Sequence, residues 1–392
     1  MIKIKTKILY VCESIGGGVR KHLLDVLNFI NHTKYEIVVA HSLNRTDQVF
    51  LDEMEGLKEK GVRFLSLPYL VREISPYKDV KSLLTMIQLI KEFKPDIVHC
   101  HSSKGGGIGR IASYFCRTNK IIYTPHAYMF QNTELSQLKK LVFLFFERIL
   151  DKFSDLTINV SEGERKTALH HKVTSPKKSI LIYNGIKETK REITPDHRSF
   201  IVGTTARLEP QKDPWTFFYI AKDIVSRFEN VKFVYVGDGS MRNEIEAEIN
   251  KHNLQGRIIL TGFQKNPLDF VQTFNIYLIT SLYEGMPYSV LEALNFGLPL
   301  VATNVIGNNE VVENGYNGFL FEKKKVHDGV QKILDLMNNP SLAKYFSENS
   351  RILFEKKFQI EHMMNLLELV YDEGNSNSNI AYLENNRSIT SY

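Results

Sequence analysis

Two glutamates around a helix start could bind the hydroxyl groups of a phosphorylated sugar. Glu284 and Glu292 stand in the stretch "SLYEGMPYSVLEALNFGLPLVATNVIGNNEVV". Pro287 and Gly297 predict a helix over about 288–296, because proline is favoured at the first helical position and glycine just beyond the last. The N-terminus of a helix attracts a phosphate, and an ionised carboxylate accepts hydrogen bonds from a diol. The pattern indicates a nucleotide sugar; a capping glutamate followed by a surface glutamate is the alternative.

Two cations, Arg207 and Lys212, stand in the loop that leaves a predicted strand at 200–206. A departing nucleoside diphosphate develops negative charge, which fixed cations in such a loop would stabilise. Taken alone, the pair is better explained as surface cations beside Glu209 and Asp213. Taken with the two glutamates, it favours a diphosphate site.

A glycine run and a histidine follow strands in the first half of the chain. Gly16, Gly17 and Gly18 come between the first predicted strand and a helix, but they lack the G-x-G-x-x-G spacing of a dinucleotide fingerprint. Such a loop lets a ligand approach the backbone, and a plain tight turn is the alternative. His126 ends a predicted strand in "YTPHAY", where it either faces a ligand or caps the strand.

The elements that must position these residues are short strands alternating with helices. The strand candidates are near-continuous apolar runs, as in parallel strands that are buried on both faces. They cover 7–14, 35–43, 63–68, 96–102, 120–126, 156–162, 179–185, 200–208, 231–239, 257–263, 276–283, 299–305 and 318–322. Helical patterns lie between them, for example over 19–31, 78–93 and 136–152. The alternation predicts βαβ units and parallel sheets.

The chain is predicted to be α/β, with two Rossmann-like, doubly wound parallel-sheet domains that face a cleft. The polar, proline-containing stretch 187–199 predicts a linker between a domain over 1–186 and a domain over 200–352. A last helix is predicted over 353–372, packing back towards the N-terminal domain, and a disordered tail over 373–392. Ligands of such sheets bind beyond the carboxyl ends of the strands, which is where the candidate residues stand.

The composition indicates a globular protein of a reducing compartment. The 392 residues are 43% hydrophobic and 24% charged, and no apolar run approaches the roughly 20 residues of a membrane span. The apolar stretch near the N-terminus is too short for a signal peptide, and the three cysteines lack metal-ligand spacing. We therefore expect a cytoplasmic protein without disulfides.

The charge is distributed unevenly along the chain. Residues 1–192 contain 31 basic and 20 acidic residues, a balance of +11, whereas the remainder contains 19 and 24, a balance of −5. This asymmetry indicates an anionic partner for the N-terminal half, and a solvated basic surface is the alternative. Because no recognition-helix, RNA-binding or zinc-finger signature accompanies the charge, we do not expect nucleic acid to be that partner.

The stretch "EGMPYSVLEALNFGLPLVATNVIGNNEVVENGYNGFLF" resembles the donor-site signature of glycosyltransferase family 4, a family of retaining enzymes with the GT-B fold. Further stretches resemble the same family in the expected order: "ESIGGGVRKHLLDV", "DIVHCHSSKGGGIGR", "YTPHAYMF", "TINVSEGE", "IYNGI", "GTTARLEPQKDP" and "FVYVGDG". The resemblance covers about residues 7–370. It implies a glycosyltransferase whose co-substrate is a nucleotide sugar, which we expect to be UDP-linked, and no other cofactor.

The resemblance also implies residue roles. Glu292 looks like the ribose-binding acid, and Glu284 like the acid that holds hydroxyls of the transferred sugar. Arg207 and Lys212 match the basic pair on the diphosphate, and His126 matches a histidine near the transferred sugar that full activity requires. The residues expected to be catalytic are His126, Arg207, Lys212 and Glu284.

The same resemblance marks out the two sides of the site. The expected donor-binding residues are Gly17, Gly18, Arg207, Lys212, Gly237, Gly262, Phe263, Glu284, Gly285, Met286, Pro287, Tyr288, Ser289 and Glu292. The expected acceptor-side residues are His101 and Lys104.

Several positions depart from the family pattern. Ala206 stands where a glycine often precedes the arginine, Ile306 where a first glycine is frequent, and Asn309 where proline is frequent. The last two put the identity of the donor in doubt rather than the activity. The chain contains no Asp-x-Asp triplet, which argues against a divalent-metal diphosphate clamp. Arg207, Lys212 and helix dipoles would replace the metal.

The segment "QLKKLVFLFFERILDKF" at 137–153 has a bearing on partners. Its helical pattern is apolar almost all round in the middle, with Lys139, Lys140, Arg148 and Lys152 towards the edges. A basic amphipathic helix can lie on an anionic membrane surface, and a core helix with snorkelling ends is the alternative. Together with the basic N-terminal half, it favours peripheral contact with the inner face of the cell membrane.

The sequence therefore predicts a retaining, metal-independent glycosyltransferase. It would move a sugar to a hydroxyl of a lipid-linked glycan during the synthesis of capsule, O-antigen or exopolysaccharide. The alternatives are a non-catalytic subunit that binds a nucleotide sugar, an epimerase of nucleotide sugars on the same fold, and a transferase acting on a small soluble acceptor.

Overall fold

The computed structural model describes residues 5–42, 48–132, 135–190 and 199–372. The chain forms two compact units: it passes from the first to the second between Asn184 and Gly185 and returns to the first between Gln359 and Ile360. Within the described ranges, none of the helices combines the length and the hydrophobicity of a membrane span. The predicted linker 187–199 lies partly outside the described residues, and the predicted tail 373–392 lies wholly outside them.

The first unit is built on a parallel seven-stranded sheet. Its strands are β1 (Thr6–Cys12), β2 (Tyr35–Ser42), β3 (Arg63–Leu67), β4 (Ile97–His101), β5 (Lys120–Thr124), β6 (Leu156–Asn159) and β7 (Ser179–Leu181). The helices between them are α1 (Gly17–Phe29), α2 (Gln48–Glu59), α3 (Pro76–Phe93), α4 (Ser103–Phe115), α5 (Gln137–Leu150) and α6 (Glu162–His170). The strand order is β3-β2-β1-β4-β5-β6-β7, so the order reverses between β1 and β4. Such a switch point is the usual ligand position of an open sheet.

The second unit repeats this design with a parallel six-stranded sheet. Its strands are β8 (Phe200–Thr205), β9 (Val231–Val236), β10 (Ile258–Leu260), β11 (Ile276–Ile279), β12 (Leu300–Thr303) and β13 (Gly318–Phe321). Its helices are α7 (Pro214–Arg227), α8 (Arg242–Lys251), α9 (Leu268–Val271), α10 (Tyr288–Asn295), α11 (Asn308–Val311), α12 (Val326–Met337) and α13 (Pro340–Lys357). The strand order is β10-β9-β8-β11-β12-β13, with the switch point between β8 and β11.

The apolar runs predicted as strands each contain one of these strands, except that β1 begins one residue before its predicted run, at Thr6. The predicted α/β fold with two doubly wound parallel sheets is confirmed. The physical reason is visible in β4 and β12, whose residues are all buried because helices cover both faces of each sheet. A strand in that position needs side chains without charge on both sides, so it reads as an uninterrupted apolar run.

The single helix predicted over 353–372 is wrong, because the chain breaks it at Phe358. Helix α13 ends at Lys357, and a separate helix, α14, covers Ile360–Asp372. The carbonyl of Phe358 accepts a hydrogen bond from the N–H of Ile186 (2.9 Å), which takes this backbone out of the helical ladder. Because Phe358 is buried and apolar, the apolar periodicity of the sequence continues across the break and does not reveal it.

Helix α14 packs into the core of the first unit. Ile360, Met363 and Leu367 belong to the same buried cluster as the apolar residues of β1 and α1. The hydroxyl of Tyr371 forms hydrogen bonds with the hydroxyl of Tyr10 (2.9 Å) and with Nδ1 of His99 (2.7 Å). The first unit is therefore completed by the C-terminal end of the described chain.

Candidate functional site

A recess lies at the carboxyl end of the sheet in the second unit. It is a shallow recess that is open to solvent. Most of its wall is formed by residues at the carboxyl ends of β8 and β11, the two strands at the switch point. Its lining residues are Thr204, Thr205, Ala206, Lys212, Tyr235, Ile279, Thr280, Ser281, Glu284 and Ser289. The recess thus occupies the place where open α/β sheets bind their ligands.

An ion pair joins two of the predicted site residues in this recess. Nζ of Lys212 donates a hydrogen bond to Oε1 of Glu284, although the two residues are 72 positions apart in the chain. The Glu284 side chain is 7% exposed and the Lys212 side chain 18% exposed. Because little water screens this pair, its electrostatic interaction with a charged ligand is stronger than that of a pair on the surface.

Backbone hydrogen bonds hold the Lys212 loop in place. The hydroxyl of Thr280 donates to the carbonyl of Lys212 (2.8 Å) and to that of Asp213 (3.0 Å). The backbone carbonyl of Gln211 accepts a hydrogen bond from the N–H of Leu282 (2.8 Å). The Asp213 carboxylate caps α7 by accepting a hydrogen bond from the N–H of Thr216 (3.3 Å), and it also accepts one from the Thr216 hydroxyl (2.6 Å). The loop after β8 is therefore fixed to the segment after β11, which carries Glu284.

A buried tyrosine connects the recess wall to α10. The hydroxyl of Tyr277 accepts a hydrogen bond from the N–H of Thr205 (2.8 Å) and shares another with the Thr205 hydroxyl (2.6 Å). Burial raises the pKa of Tyr277, while hydrogen bonds from Ser289 and Thr205 act against the rise and the charge of Glu292 adds to it. Glu292, which is half-buried on α10, therefore lies near Tyr277 but is outside the set that lines the recess.

Arg207 lies at the rim of this region rather than in the recess wall. Its side chain is exposed, and its carbonyl accepts a hydrogen bond from the hydroxyl of Tyr235 (3.1 Å). Burial raises the pKa of Tyr235 well above its usual value, and the nearby Arg207 charge opposes that rise. Because Tyr235 lines the recess, Arg207 is adjacent to the recess through this contact.

Two predicted glycines hold the loops beside β8. Gly237 has a φ of 146°, and a Cβ on it would lie 1.9 Å from the carbonyl oxygen of Ala206, so no larger residue fits there. Gly262 has a φ of 74° and bridges to Gly237 in an antiparallel pair. Phe263, the next residue, is 61% exposed. Gly237 therefore permits close contact between backbones, and Phe263 offers an exposed ring.

The segment from Gly285 to Tyr288 is buried by the protein itself. Met286 and Tyr288 are 6% and 7% exposed, and Pro287 is the residue that precedes α10. A glycine that the sequence analysis did not single out, Gly307, supports this segment. It has a φ of 86°, and a Cβ on it would lie 2.4 Å from the carbonyl oxygen of Gly285. Of the predicted set in this stretch, Glu284 and Ser289 line the recess.

Three histidines meet at the carboxyl end of the first unit's sheet. His22 comes from α1, His101 from the end of β4, and His126 from the residues after β5. Nδ1 of His101 and Nε2 of His126 share a hydrogen bond (3.0 Å), and Nδ1 of His22 forms one with Oδ1 of Asn184 (3.0 Å). One ring nitrogen from each of the three histidines lies within 4.8 Å of the others, a grouping that could hold a metal ion.

Burial keeps these histidines neutral. It lowers the pKa of His22 to about 4, and it lowers the pKa of His101 and of His126 well below the usual value. Neutral imidazoles can accept a hydrogen bond from a hydroxyl as well as donate one. The backbone at His126 and Ala127 has φ values of 56° and 87°, a left-handed conformation that is costly without glycine.

A residue that the sequence analysis missed, Glu164, holds this strained turn. Its carboxylate is completely buried and accepts hydrogen bonds from the N–H of Ala127 (2.6 Å) and from the N–H of Val160 (3.0 Å). Its own N–H donates to the side chain of Ser161, the N-cap of α6. The Ser-x-x-Glu spacing of a capping box was the sequence signal that could have drawn attention to it.

The remaining predicted residues of the first unit are two exposed glycines and a partly buried lysine. Gly17 and Gly18 are exposed at the start of α1, and Gly17 has a φ of 58°. Lys104, predicted on the acceptor side with His101, forms an ion pair with Asp79 (2.5 Å) and donates to the carbonyl of Glu73 (3.1 Å). Lys104 therefore fastens α4 to the start of α3, whereas His101 belongs to the histidine group.

Family models and curated relatives cover almost all of the chain. The model described as Glycosyl transferases group 1 matches residues 185–353, and the model described as Glycosyltransferase Family 4 matches residues 16–190. The chain is 30% identical to UDP-Gal:alpha-D-GlcNAc-diphosphoundecaprenol alpha-1,3-galactosyltransferase of Escherichia coli, over 94% of this chain and 97% of that protein. It is 25% identical to the capsular polysaccharide biosynthesis glycosyltransferase CapM of Staphylococcus aureus, over 90% of this chain and 96% of that protein.

Solved structures show the same fold at lower identity. The Anabaena protein HepE, solved with UDP and glucose, superposes with a TM-score of 0.78 at 19% identity and covers 93% of this chain and 99% of its own. The lipopolysaccharide outer core galactosyltransferase WaaB superposes with a TM-score of 0.70 at 19% identity, over 93% and 99% of the two chains. At this identity the likeness establishes the fold alone.

Proposed function

The chain belongs to the glycosyl transferases group 1 family and is a glycosyltransferase of the GT-B type, and we propose that it is a retaining enzyme that needs no metal ion. Its donor is a UDP-linked sugar, and its acceptor is a hydroxyl of a lipid-linked glycan. The product serves the assembly of a capsule, an O-antigen or an exopolysaccharide. The enzyme works in the cytoplasm, against the inner face of the cell membrane.

The observation that carries this proposal is the Lys212–Glu284 pair in the recess of the second unit. A sugar diphosphate carries both hydroxyls and negative charge, so it needs an acceptor of hydrogen bonds and a cation side by side. Lys212 and Glu284 provide these two groups from the segments that follow the neighbouring strands β8 and β11. Ser289, at the start of α10, adds a hydroxyl and the positive end of a helix dipole.

Each charged residue has a defined part in the proposed reaction. Glu292 accepts hydrogen bonds from the ribose, and Glu284 accepts them from hydroxyls of the sugar. Lys212 and Arg207 stabilise the charge that develops on the diphosphate as its bond to the anomeric carbon breaks. Electrostatic stabilisation of this kind is worth about 10²–10³ in rate for one group.

The transfer balances without a nucleophile from the protein. The bond between the anomeric carbon and the diphosphate oxygen breaks, and the acceptor oxygen bonds to the same face of that carbon. The acceptor's proton passes to the departing diphosphate, so UDP leaves in its protonated form. The protein's contribution is to hold the acceptor hydroxyl beside the departing diphosphate, on the same face of the sugar, and to exclude water, which would otherwise hydrolyse the donor.

The names of the relatives support the choice of substrates. The Escherichia coli relative is named for transfer of galactose from UDP-Gal to a diphosphoundecaprenol-linked GlcNAc, and HepE was solved with UDP and glucose. CapM is named for capsular polysaccharide biosynthesis. A UDP donor and a lipid-linked diphosphate acceptor are therefore the substrates that we propose for this chain.

The proposal is tested by turnover of the purified chain. With UDP-galactose or UDP-glucose and a membrane lipid extract, we expect UDP release that depends on the extract, together with an α-linked glycolipid product. A β-linked product would overturn the retaining assignment. Donor binding without turnover would identify a non-catalytic subunit, and an isomerised donor in the absence of acceptor would identify an epimerase.

The independence from metal needs its own assay because of the histidine group in the first unit. His101 and His126 already share a hydrogen bond, and the diphosphate is served by Lys212 and Arg207 in the second unit. We therefore expect the same turnover after prolonged dialysis against EDTA as before it. Loss of turnover in EDTA that added Mg²⁺ or Zn²⁺ restores would overturn this part of the proposal.

A further inference from the structure

The outward face of α5 is apolar. Five large hydrophobic side chains on this helix are between 45% and 73% exposed, and they recur every three or four residues along one side. They are Leu138, Leu141, Val142, Phe145 and Phe146. We call this set the α5 face. An isolated exposed leucine is ordinary, but five such side chains on one helix form a patch that marks an interaction site.

The inward side of α5 holds the polar contacts. Glu147 accepts a hydrogen bond from Nη2 of Arg110 (3.0 Å) and another from the hydroxyl of Tyr123 (3.1 Å), and both carboxylate contacts are buried. The guanidinium of Arg110 lies 3.7 Å from the centre of the Tyr123 ring. This network fixes which side of α5 faces the sheet. Leu144 and Phe143 also pack inward against the core, so α5 is apolar on both sides. Because five of its large apolar side chains face solvent, it is not a core helix with snorkelling ends.

Exposed cations stand at both ends of the α5 face. Lys139 stands in the first turn of the helix and Lys152 just after its end, and both are exposed. The acid on the helix itself, Glu147, is buried and neutralised by Arg110. Asp151 is half-buried, and the exposed Asp155 accepts a hydrogen bond from the N–H of Ile121 (2.8 Å), which holds its carboxylate at the start of β5. An approaching surface therefore meets exposed hydrocarbon flanked by ammonium groups.

Two aromatic residues extend the apolar surface beyond the end of α5. Tyr114 and Phe115, at the end of α4, are 52% and 67% exposed. The ring of Tyr114 packs edge-on against Phe153 at 4.9 Å, and Phe153 follows α5 directly. Arg117, also exposed, adds another cation on this side. Aromatic rings beside cations are typical of a surface that settles at the boundary between lipid headgroups and acyl chains.

We infer that the α5 face is the surface through which the protein docks on an anionic lipid bilayer. The inference deepens the proposed function, because the acceptor that we propose is held in such a bilayer. The apolar side chains enter the boundary below the headgroups, and Lys139 and Lys152 pair with lipid phosphates. Binding is peripheral, since the helix would lie in the plane of the membrane.

Charge favours a bilayer over a second copy of the chain as the occupant. A two-fold dimer through this face would place the same cations of both copies in one interface. Like charges in contact oppose association, whereas lipid phosphates neutralise the same cations. The flat row of side chains on one helix also suits a planar surface.

Vesicle sedimentation tests the inference with the full chain. We expect the protein to bind vesicles that contain phosphatidylglycerol and to bind pure phosphatidylcholine vesicles much less. In Phe145→Ser/Phe146→Ser, the partition coefficient should fall by at least about tenfold. In Lys139→Glu/Lys152→Glu, the preference for phosphatidylglycerol should fall by about fivefold for each lost positive charge.

Matched controls come from the same unit. Leu51→Ser and Lys58→Glu, both on α2, change an exposed leucine and an exposed lysine at the opposite edge of the sheet from α5, and vesicle binding should not change. Thermal melting curves of all variants should coincide, because the altered side chains face solvent. Equal vesicle binding by the wild type and by both α5 variants would overturn the inference, as would a dimer that Phe145→Ser/Phe146→Ser dissociates while the wild type ignores vesicles.

The vesicle assay needs neither donor nor acceptor, so its outcome is independent of the proposed reaction. If the inference holds, Phe145→Ser/Phe146→Ser should lose turnover on acceptor in vesicles but keep it on a short-chain acceptor analogue in solution. If the proposed function fails instead, no variant turns over either acceptor, and vesicle binding still responds to the α5 changes.

Discussion

Lys212 and Glu284 form a nearly buried ion pair that joins the loop after β8 to the segment after β11. Removal of one partner from such a pair leaves an uncompensated charge in a region with little water, which costs more than the pair contributes. A substitution here can therefore lower stability and turnover together. The two effects must be separated before either residue is assigned to the reaction.

In Lys212→Met, we expect kcat to fall by about 10²–10³, because the diphosphate loses a fixed cation. The melting temperature should fall as well, since Glu284 is left unpaired. The double variant Lys212→Met/Glu284→Gln should recover the melting temperature but not kcat. Lys251→Met is the control, because that lysine is 66% exposed on α8. A double variant with near-normal kcat would exclude the pair from the reaction.

In Glu292→Ala, we expect UDP to bind about 10- to 100-fold more weakly, the value of one or two hydrogen bonds to a charged acceptor. Isothermal calorimetry with UDP measures this directly, without an acceptor. Glu348→Ala on α13 is a suitable control, since that glutamate is 62% exposed. Unchanged affinity in Glu292→Ala would contradict the ribose role.

In Arg207→Ala, turnover should fall by about 10²–10³, whereas the fold should be unaffected because the side chain is exposed. The hydrogen bond that Tyr235 makes in this loop goes to the Arg207 carbonyl, which every substitution retains. Single-turnover kinetics at saturating donor would isolate the chemical step. A normal single-turnover rate would remove Arg207 from the site.

The strands could be predicted from the sequence because burial on both faces of a parallel sheet leaves little choice of residue. The run "VKFVYV" of β9 is an example, with one partly exposed position in six. The end of α13 could not be predicted, since Phe358 continues the apolar period while a distant partner, Ile186, decides the backbone course. The local residue pattern therefore predicts a buried strand, but it does not predict a helix end that a distant residue determines.

The residues of the candidate site also differ in whether the sequence alone could predict their association. The stretch around Glu284 is contiguous, so its residue types and spacing predict a binding site directly. His22, His101 and His126 are distant in the chain and meet only because parallel strands end at one edge of the sheet. The sequence of α5 is apolar almost all round in the middle and does not predict which side faces outward, whereas the buried Arg110–Glu147 pair decides it.

Glu164 is predicted to be a positioning residue for His126. Glu164→Gln keeps one acceptor oxygen and turns an amide NH₂ towards the N–H of Ala127 or of Val160, so the left-handed turn at His126 should lose its support. We expect kcat to fall by about tenfold with UDP affinity unchanged, because the UDP site that we propose is in the other unit. Enzyme kinetics and calorimetry on the same sample provide both values.

A merely structural role for Glu164 would lower the melting temperature and leave kcat per folded molecule unchanged. The decisive comparison is a double-mutant cycle with His126→Ala. If Glu164 acts through His126, Glu164→Gln should cause no further loss of kcat in the His126→Ala background. Glu162→Gln, two residues away on α6, is the control for loss of charge at the same helix start.

The stability of the first unit should depend on pH through two residues of α1 with opposite effects. Burial lowers the pKa of His22 to about 4, below the usual value near 6.5, so the unfolded chain binds more protons between these values. The His22 contribution is therefore complete above pH 6.5 and is lost as the pH falls through 4. Burial raises the pKa of Asp25 to about 6, so its contribution is present at low pH and is lost as the pH rises through 6.

Urea unfolding at several pH values between 4 and 6.5 would separate these contributions. In His22→Asn, the rise of the unfolding free energy with pH should be smaller than in the wild type, by on the order of 3 kcal/mol across the window. In Asp25→Asn, the rise should be larger, because the opposing contribution is gone. His99, His101 and His126 also have a lowered pKa, so part of the rise should persist in His22→Asn. The same pH dependence in His22→Asn, Asp25→Asn and the wild type would show that neither residue of α1 is responsible.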